Sequence, residues 1–190
     1  PVDVYSYRRQ SWFEHVGAEH RATRERVAVF DQTSFAKMLV VGKDALAALE
    51  WLCANDVAKP VGKLTYTQMC NARGGIECDV TVSRIADDAF YVLTGTAYGT
   101  HDADWMARNL PEGADARIID VTGMYSVLSV MGPRSRELLE EVSGEDLSNG
   151  AFPFGTHREI PIAGAMARAL RVTFVGELGW ELHVPVESAL

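Results

Sequence analysis

Cysteine is scarce in this 190-residue sequence, which has three, at Cys53, Cys70 and Cys78. An odd number without a C-x-x-C pair gives no sign of a disulfide framework or of a cysteine-based zinc site. The five histidines form no H-E-x-x-H pair and no acid-flanked cluster with ligand spacing. We therefore predict reduced thiols and no bound metal.

Basic residues are outnumbered, with 18 Lys and Arg against 26 Asp and Glu, which gives a formal net charge of -8. Affinity for nucleic acid depends on a concentrated basic surface that neutralises phosphates. The arginines between Arg21 and Arg26 alternate with glutamate, a pattern typical of a solvated helix face. The composition therefore predicts no nucleic-acid partner.

Long apolar runs are also missing. No segment approaches the roughly 20 residues that a membrane-spanning helix needs, and the first residues lack a charged-then-apolar secretory pattern. No G-x-G-x-x-G follows a predicted strand, and no G-x-x-x-x-G-K-[ST] occurs, so we expect no dinucleotide fold or phosphate loop. These absences predict a cytoplasmic protein without a membrane partner, and any flavin would bind in another part of the parent protein.

What the sequence does contain is material for a packed core, since 47% of its residues are hydrophobic and 23% are charged. No internal repeat, low-complexity tract or linker interrupts it, which favours one compact domain or two intimate subdomains. Both ends look cut. The chain starts at Pro1, and residues 185–190 resemble the opening of a helix, so we expect a fragment of a longer chain.

Periodicity predicts an α+β fold with mostly antiparallel sheets and flanking helices. Apolar residues three and four apart indicate helices, and runs rich in Thr, Val, Tyr and Ile between short turn-forming clusters indicate strands joined as a meander. The predicted helices cover 14–28, 44–53, 101–110 and 132–142, and the predicted strands cover 37–41, 64–71, 77–86, 89–95, 116–122, 125–131, 157–163, 166–174 and 180–184.

The first candidate site residue is Asp79, in the strand predicted over 77–86. Alternation places Asp79, Thr81 and Ser83 on one face of this strand. The preceding strand carries Tyr66, whose ring would lie near Asp79 if the register aligns the two. The alternative is that this polar face simply meets water, as one side of an antiparallel sheet often does, and periodicity alone favours it.

The second candidate is Glu177, which lies between Gly176 and Gly179 among apolar neighbours. Burying a carboxylate there is costly unless something donates hydrogen bonds to it, and a ligand with two adjacent donors would suit it. Alternatively, the segment is a hairpin turn in which an exposed glutamate is incidental, and spacing alone favours that interpretation. We predict that Asp79 and Glu177 converge in one small-molecule cavity.

An ordered set of segments resembles the folate-binding aminomethyltransferase family, meaning the T-protein of the glycine cleavage system and its relatives. The segments are 29–31, 52–58, 66–69, 71–80, 130–133 and 175–182. Residues 30–37 and 152–156 are most similar to the folate module at the carboxyl end of FAD-dependent dimethylglycine and sarcosine dehydrogenases. Cys78 and Val175 depart from the T-protein, which usually carries an acid and a threonine at these positions.

The resemblance implies an aminomethyltransferase-type folate-binding domain over 1–190, with tetrahydrofolate as cofactor and FAD only in a part of the parent chain outside this segment. It assigns Glu177 to the pterin edge, Asp79 to the reacting nitrogens as the catalytic group, and Tyr66 to a wall of the pocket. Thr81 and Ser83 complete the predicted cofactor-binding set. A carboxylate beside a nucleophilic nitrogen stabilises positive charge and accepts a proton, which supports the role of Asp79.

The leading functional hypothesis is a one-carbon transfer domain of an FAD-dependent demethylating enzyme, which captures an oxidised methyl group as 5,10-methylenetetrahydrofolate. Its partners would be the folate, the one-carbon donor and an FAD-containing domain of the same parent chain. Two alternatives remain, namely a stand-alone glycine cleavage aminomethyltransferase and a non-catalytic folate-sensing or assembly module. The segment by itself is not expected to oxidise anything.

Overall fold

A computed structural model describes residues 2–189 of the chain. Over these residues the helices are α1 (Phe13–Glu25), α2 (Ala45–Leu52), α3 (Gly99–Arg108) and α4 (Ser135–Ser143). The strands are β1 (Ala28–Asp31), β2 (Ala36–Val41), β3 (Leu64–Cys70), β4 (Ile76–Ala86), β5 (Ala89–Thr94), β6 (Arg117–Asp120), β7 (Tyr125–Met131), β8 (His157–Ile162), β9 (Ala165–Leu170) and β10 (Gly179–Pro185). Within the described range, no helix has the length and apolar character needed to cross a membrane.

The strands form two five-stranded sheets in which every described pair is antiparallel. Sheet A has the order β1-β7-β10-β9-β8, and sheet B has the order β3-β4-β5-β2-β6. Consecutive strands joined by short turns are neighbours in the sheets, as β3-β4-β5 and β8-β9 illustrate. The predicted α+β class with antiparallel sheets and flanking helices is therefore confirmed.

The sheets pack face to face, and helices cover their outer faces. Buried side chains of α2 and α3, among them Leu49 and Met106, pack on the outer face of sheet B. Leu139 of α4 belongs to the buried cluster on the outer face of sheet A. Tyr91 of sheet B and Leu170 of sheet A belong to the cluster between the sheets. Any polar residue that faces this inner layer must find a partner or line a cavity.

Several boundaries differ from the predictions for identifiable reasons. Helix α1 ends at Glu25, and the four residues Ala28–Asp31 form strand β1, which is too short for a periodic signal. The strand predicted over 166–174 ends at Leu170, because the amide of Val172 donates to the carbonyl of Leu170 in a tight turn that takes the chain out of the sheet. The helix predicted near the end of the chain is a short 3₁₀ turn, Val186–Ser188, and Leu190 lies outside the described residues.

Gly179 is fixed by the contact between the two central strands of sheet A. It lies opposite Met131 of β7, and a Cβ added at Gly179 would lie 2.2 Å from the Met131 Sδ and 2.4 Å from the Val130 carbonyl oxygen. Both distances are far below van der Waals contact. Only glycine lets β10 enter the sheet here, and this entry sets which later residues face the inner layer.

Replacing Gly179 by alanine is therefore expected to destabilise the fold by roughly 1–3 kcal/mol, the usual cost of overpacking a tight core. Urea unfolding followed by circular dichroism measures this change. The matched control is Gly150→Ala, because a Cβ at Gly150 meets no atom within 4 Å. Equal midpoints for the two variants would show that β10 can shift away from β7 at no cost.

Candidate functional site

A cavity of about 560 Å³ opens between the two sheets, a size typical of small-molecule sites. Sheet B contributes the side chains of Tyr66, Asp79 and Thr81, and Glu181 of β10 faces them from sheet A. The loops before β8 and β10 add Phe154 and Phe174. The cavity therefore combines two carboxylates with aromatic walls.

Asp79 is held in place by two side chains of the neighbouring strand. The register pairs Tyr66 with Thr81 and Gln68 with Asp79. The hydroxyl of Tyr66 donates to the Asp79 Oδ2 at 2.9 Å, and the Gln68 Nε2 donates to Oδ1 at 2.8 Å. The hydrogen bond to Asp79 raises the pKa of Tyr66, so the phenol stays protonated and remains a donor. Asp79 is thus an exposed but oriented carboxylate, and its predicted proximity to Tyr66 is confirmed.

The other two residues on the Asp79 face separate from each other. Thr81 lines the cavity with Asp79. Ser83 is fully buried, and its Oγ lies 2.7 Å from the Nδ1 of His157 on β8. Burial lowers the pKa of His157 to about 4, so this imidazole is neutral near pH 7. Ser83 lies on the predicted face but does not line the cavity, because its hydroxyl is committed to His157.

The structure does not bring Glu177 into the cavity with Asp79. Glu177 pairs with the guanidinium of Arg24 on α1, which also donates to the carbonyl oxygen of Val175 at 3.3 Å. The loop turns at Gly176, where φ is +82°, and this turn directs the following residue towards α1. Arg24 and Val175 line a separate cavity of about 290 Å³. The donor that Glu177 was predicted to need is therefore supplied by the protein itself.

Glu181 is the second acid of the cavity, and the sequence argument gave it no role. It lies in the central strand of sheet A, is 9% exposed and lines the same cavity as Asp79. Alternation along β10 places Gly179, Glu181 and His183 on the face opposite Trp180 and Leu182. That alternation is the sequence signal that could have identified it, since a charged residue within an otherwise buried strand requires a partner.

A second group of polar side chains includes Cys78, which precedes Asp79 in β4 and lies on the opposite face of that strand. One ligand atom each from Cys78, His101 and Asp102 lies within 4.8 Å of the others. Asp102 is already paired, because it accepts from the Thr94 hydroxyl at 2.6 Å and lies 2.8 Å from the His101 Nδ1. Burial raises the pKa of Cys78 to about 12, which keeps the thiol protonated and makes it a poor ligand. Internal hydrogen bonds account for this group, and the absence of a metal stays a prediction.

The packed antiparallel sheets with an acid-lined cavity between them define a domain of the aminomethyltransferase fold. The fold matches the crystal structure of the glycine cleavage system aminomethyltransferase T from Bartonella henselae with a TM-score of 0.79. The match covers 90% of this chain and 45% of that chain at 22% sequence identity. The chain belongs to the family described as the GCVT N-terminal domain, whose model matches residues 2–190. The resemblance inferred from the ordered segments is confirmed.

Two relatives are similar over the whole of this chain. Sarcosine dehydrogenase, mitochondrial, from Homo sapiens is 39% identical over 203 residues, which cover 100% of this chain and 22% of that protein. The 4-methylaminobutanoate oxidase (formaldehyde-forming) from Paenarthrobacter nicotinovorans is 40% identical over 190 residues, which cover 100% of this chain and 23% of that protein. The chain therefore spans less than a quarter of the length of either relative.

Proposed function

We propose that residues 1–190 form a tetrahydrofolate-binding one-carbon transfer domain of a longer, FAD-dependent demethylating oxidoreductase. The observation that carries the proposal is the cavity in which Asp79 and Glu181 face each other across the two sheets. Similarity to sarcosine dehydrogenase along the whole chain supports an amine demethylase as the parent protein. FAD would bind in another part of the parent chain, and no residue of this segment is assigned to it.

The residues of the cavity suit a reduced pterin. A pterin presents an exocyclic amino group beside a ring N–H, and these two parallel donors match the two oxygens of one carboxylate. Glu181 is the better acceptor for them because it is nearly buried within the cavity, whereas Glu177 is engaged by Arg24. The rings of Phe154 and Phe174 offer flat apolar surface for the heterocycle. We therefore assign the pterin edge to Glu181 in place of Glu177.

Asp79 is assigned the proton-transfer role. Tetrahydrofolate supplies the nucleophilic nitrogens that take up the one-carbon unit. The Tyr66 hydroxyl and the Gln68 amide hold both oxygens of Asp79, so the carboxylate is presented as an oriented anion. An anion in this place stabilises positive charge that develops on a nearby nitrogen and accepts the released proton at a carboxylate oxygen. Thr81 adds a hydroxyl next to it in the cavity.

Two other functions are compatible with the same cavity. A relative named as formaldehyde-forming favours a parent oxidase that releases the one-carbon unit instead of transferring it. The other is a stand-alone aminomethyltransferase. The upstream gene sequence distinguishes it from the demethylase, since a G-x-G-x-x-G strand-turn-helix there indicates a flavin domain. The compartment also stays a prediction, because the sequence favours the cytoplasm whereas the sarcosine dehydrogenase relative is named as mitochondrial.

Calorimetric titration of the full-length protein with tetrahydrofolate tests the proposal. We expect saturable binding with one site per chain. Oxidation of a methylated amine in the presence of tetrahydrofolate should yield methylenetetrahydrofolate and correspondingly less free formaldehyde. Folate-independent release of all the formaldehyde, with no heat of binding, would refute it. A spectrum without flavin absorption, combined with folate binding, would favour the stand-alone transferase.

A further inference from the structure

Glu181 has a buried polar neighbour that the proposed chemistry does not use. His183 follows it by two residues on the same face of β10, and its side chain is 1% exposed. The His183 Nδ1 lies 3.0 Å from the hydroxyl of Tyr91 on sheet B. The other ring nitrogen, Nε2, has no hydrogen-bond partner among the described residues and lies 3.8 Å from the Glu181 Oε2. Three polar groups thus lie in a row from the inner layer to the cavity.

The chemistry of the row fixes where its protons are. Burial raises the pKa of Tyr91, so the phenol is protonated at physiological pH. Burial lowers the pKa of His183, so the imidazole is neutral and carries one N–H. When Tyr91 donates to Nδ1, the imidazole proton lies on Nε2, which is the atom nearest Glu181.

We propose that His183 is the positioning residue of Glu181, and that it presents Nε2–H to the carboxylate while Tyr91 holds its tautomer. The inference rests on the proposed function of Glu181 as the acceptor for the pterin edge. The Nε2 and Oε2 atoms must approach by about 1 Å to form a hydrogen bond, so we place this bond in the ligand-bound state. It would keep the carboxylate aimed into the cavity as water leaves.

Other charged groups also act on Glu181 and His183, and none of them is changed in the variants that test the proposal. The groups that face them are Arg168 of β9, which lies over the rings of Tyr91 and Tyr125 and pairs with Glu159, and the buried Lys37 of β2, which faces Asp120. Arg168 and Lys37 lower the pKa of His183 further, and Glu181 opposes them. His183 therefore acts on Glu181 as a neutral hydrogen-bond donor and not as a cation.

The test measures the affinity of the full-length protein for tetrahydrofolate. His183→Phe removes the donor and is expected to weaken binding at least tenfold, the effect of one hydrogen bond to a charged group. His183→Gln retains an N–H and should remain within about threefold of the parent protein.

Two further variants keep the result interpretable where His183→Phe lowers the melting temperature. Tyr91→Phe keeps the ring but removes the hydroxyl that holds the tautomer, and we expect roughly three- to tenfold weaker binding. Tyr125→Phe is the matched control, since this ring packs edge-on to Tyr91 at 5.8 Å and no described hydrogen bond joins it to His183. It should change affinity by less than about twofold.

A double-mutant cycle separates positioning from general stability. In a Glu181→Gln background, His183→Phe should cause little further loss of affinity, because the contact it supports is already gone. Additive losses, or equal effects of Tyr91→Phe and Tyr125→Phe, would overturn the inference while the parent protein still binds tetrahydrofolate. Absence of binding by the parent protein would instead refute the proposed function on which the inference rests.

Discussion

Replacing Asp79 by asparagine in the full-length protein is expected to lower the rate of methylenetetrahydrofolate formation by roughly 10²- to 10⁴-fold, the usual contribution of a positioned acid or base. Asparagine keeps the size of the side chain and an acceptor for Tyr66, but it neither carries the negative charge nor takes up a proton. Tyr66 and Gln68 hold both oxygens of Asp79, so we do not expect a water molecule to take over the role of this oriented carboxylate. Oxidation should continue, with the methyl group released as formaldehyde.

Quantifying formaldehyde and methylenetetrahydrofolate in the same reaction measures this partition. Asp146→Asn is the matched control, because Asp146 is likewise an exposed carboxylate, but it lies in a loop outside the cavity and accepts from the Ser148 amide. It should leave the partition unchanged. An unchanged partition in Asp79→Asn would remove Asp79 from the chemistry and favour the non-catalytic folate-sensing or assembly module.

The part of the site that lies within one meander was predictable from the sequence. Strands β3 and β4 are joined by the short turn between Cys70 and Ile76, so their register follows from the turn and from alternation. That register brings Tyr66 and Asp79 together, as the sequence argument required. The α+β class was predictable for the same reason, since four of its eight antiparallel pairs join consecutive strands.

The parts that depend on distant pairings were not predictable. The partner of Glu177 is Arg24, 153 residues away, and the partner of Ser83 is His157, 74 residues away. Neither pairing leaves a local periodic signal, so both residues looked available for a ligand. The sequence argument chose Glu177, an acid flanked by glycines in a loop. It gave no role to Glu181, the acid in the buried strand that follows.

Burial along β10 explains why Glu181 is the stronger candidate. This strand is central in sheet A, and all its residues except Pro185 are buried. Its outward side chains are the apolar Trp180 and Leu182, while Glu181 and His183 face the inner layer. A charge so placed costs free energy unless its neighbours or a ligand satisfy it, so its presence beside a cavity indicates a binding role more strongly than an exposed acid does.

Glu181→Gln is therefore expected to weaken tetrahydrofolate binding by roughly 100-fold, because it removes the charge and replaces one acceptor with an N–H that opposes the donors of the pterin. Glu177→Gln should change the affinity by less than about threefold, since Glu177 pairs with Arg24 and does not line the cavity. Calorimetric titration of the two variants side by side measures the difference. Their melting temperatures provide the check that both are folded.

The reverse result would have a specific structural meaning. Strong weakening by Glu177→Gln alone would require the loop from Thr173 to Leu178 to rearrange, so that Glu177 leaves Arg24 and enters the cavity that Thr173 and Phe174 already line. Arg24 would then compete with the ligand, and Arg24→Ala should tighten binding. With Glu181 as the acceptor, Arg24→Ala should have no effect on affinity, because the guanidinium and the ligand engage different carboxylates.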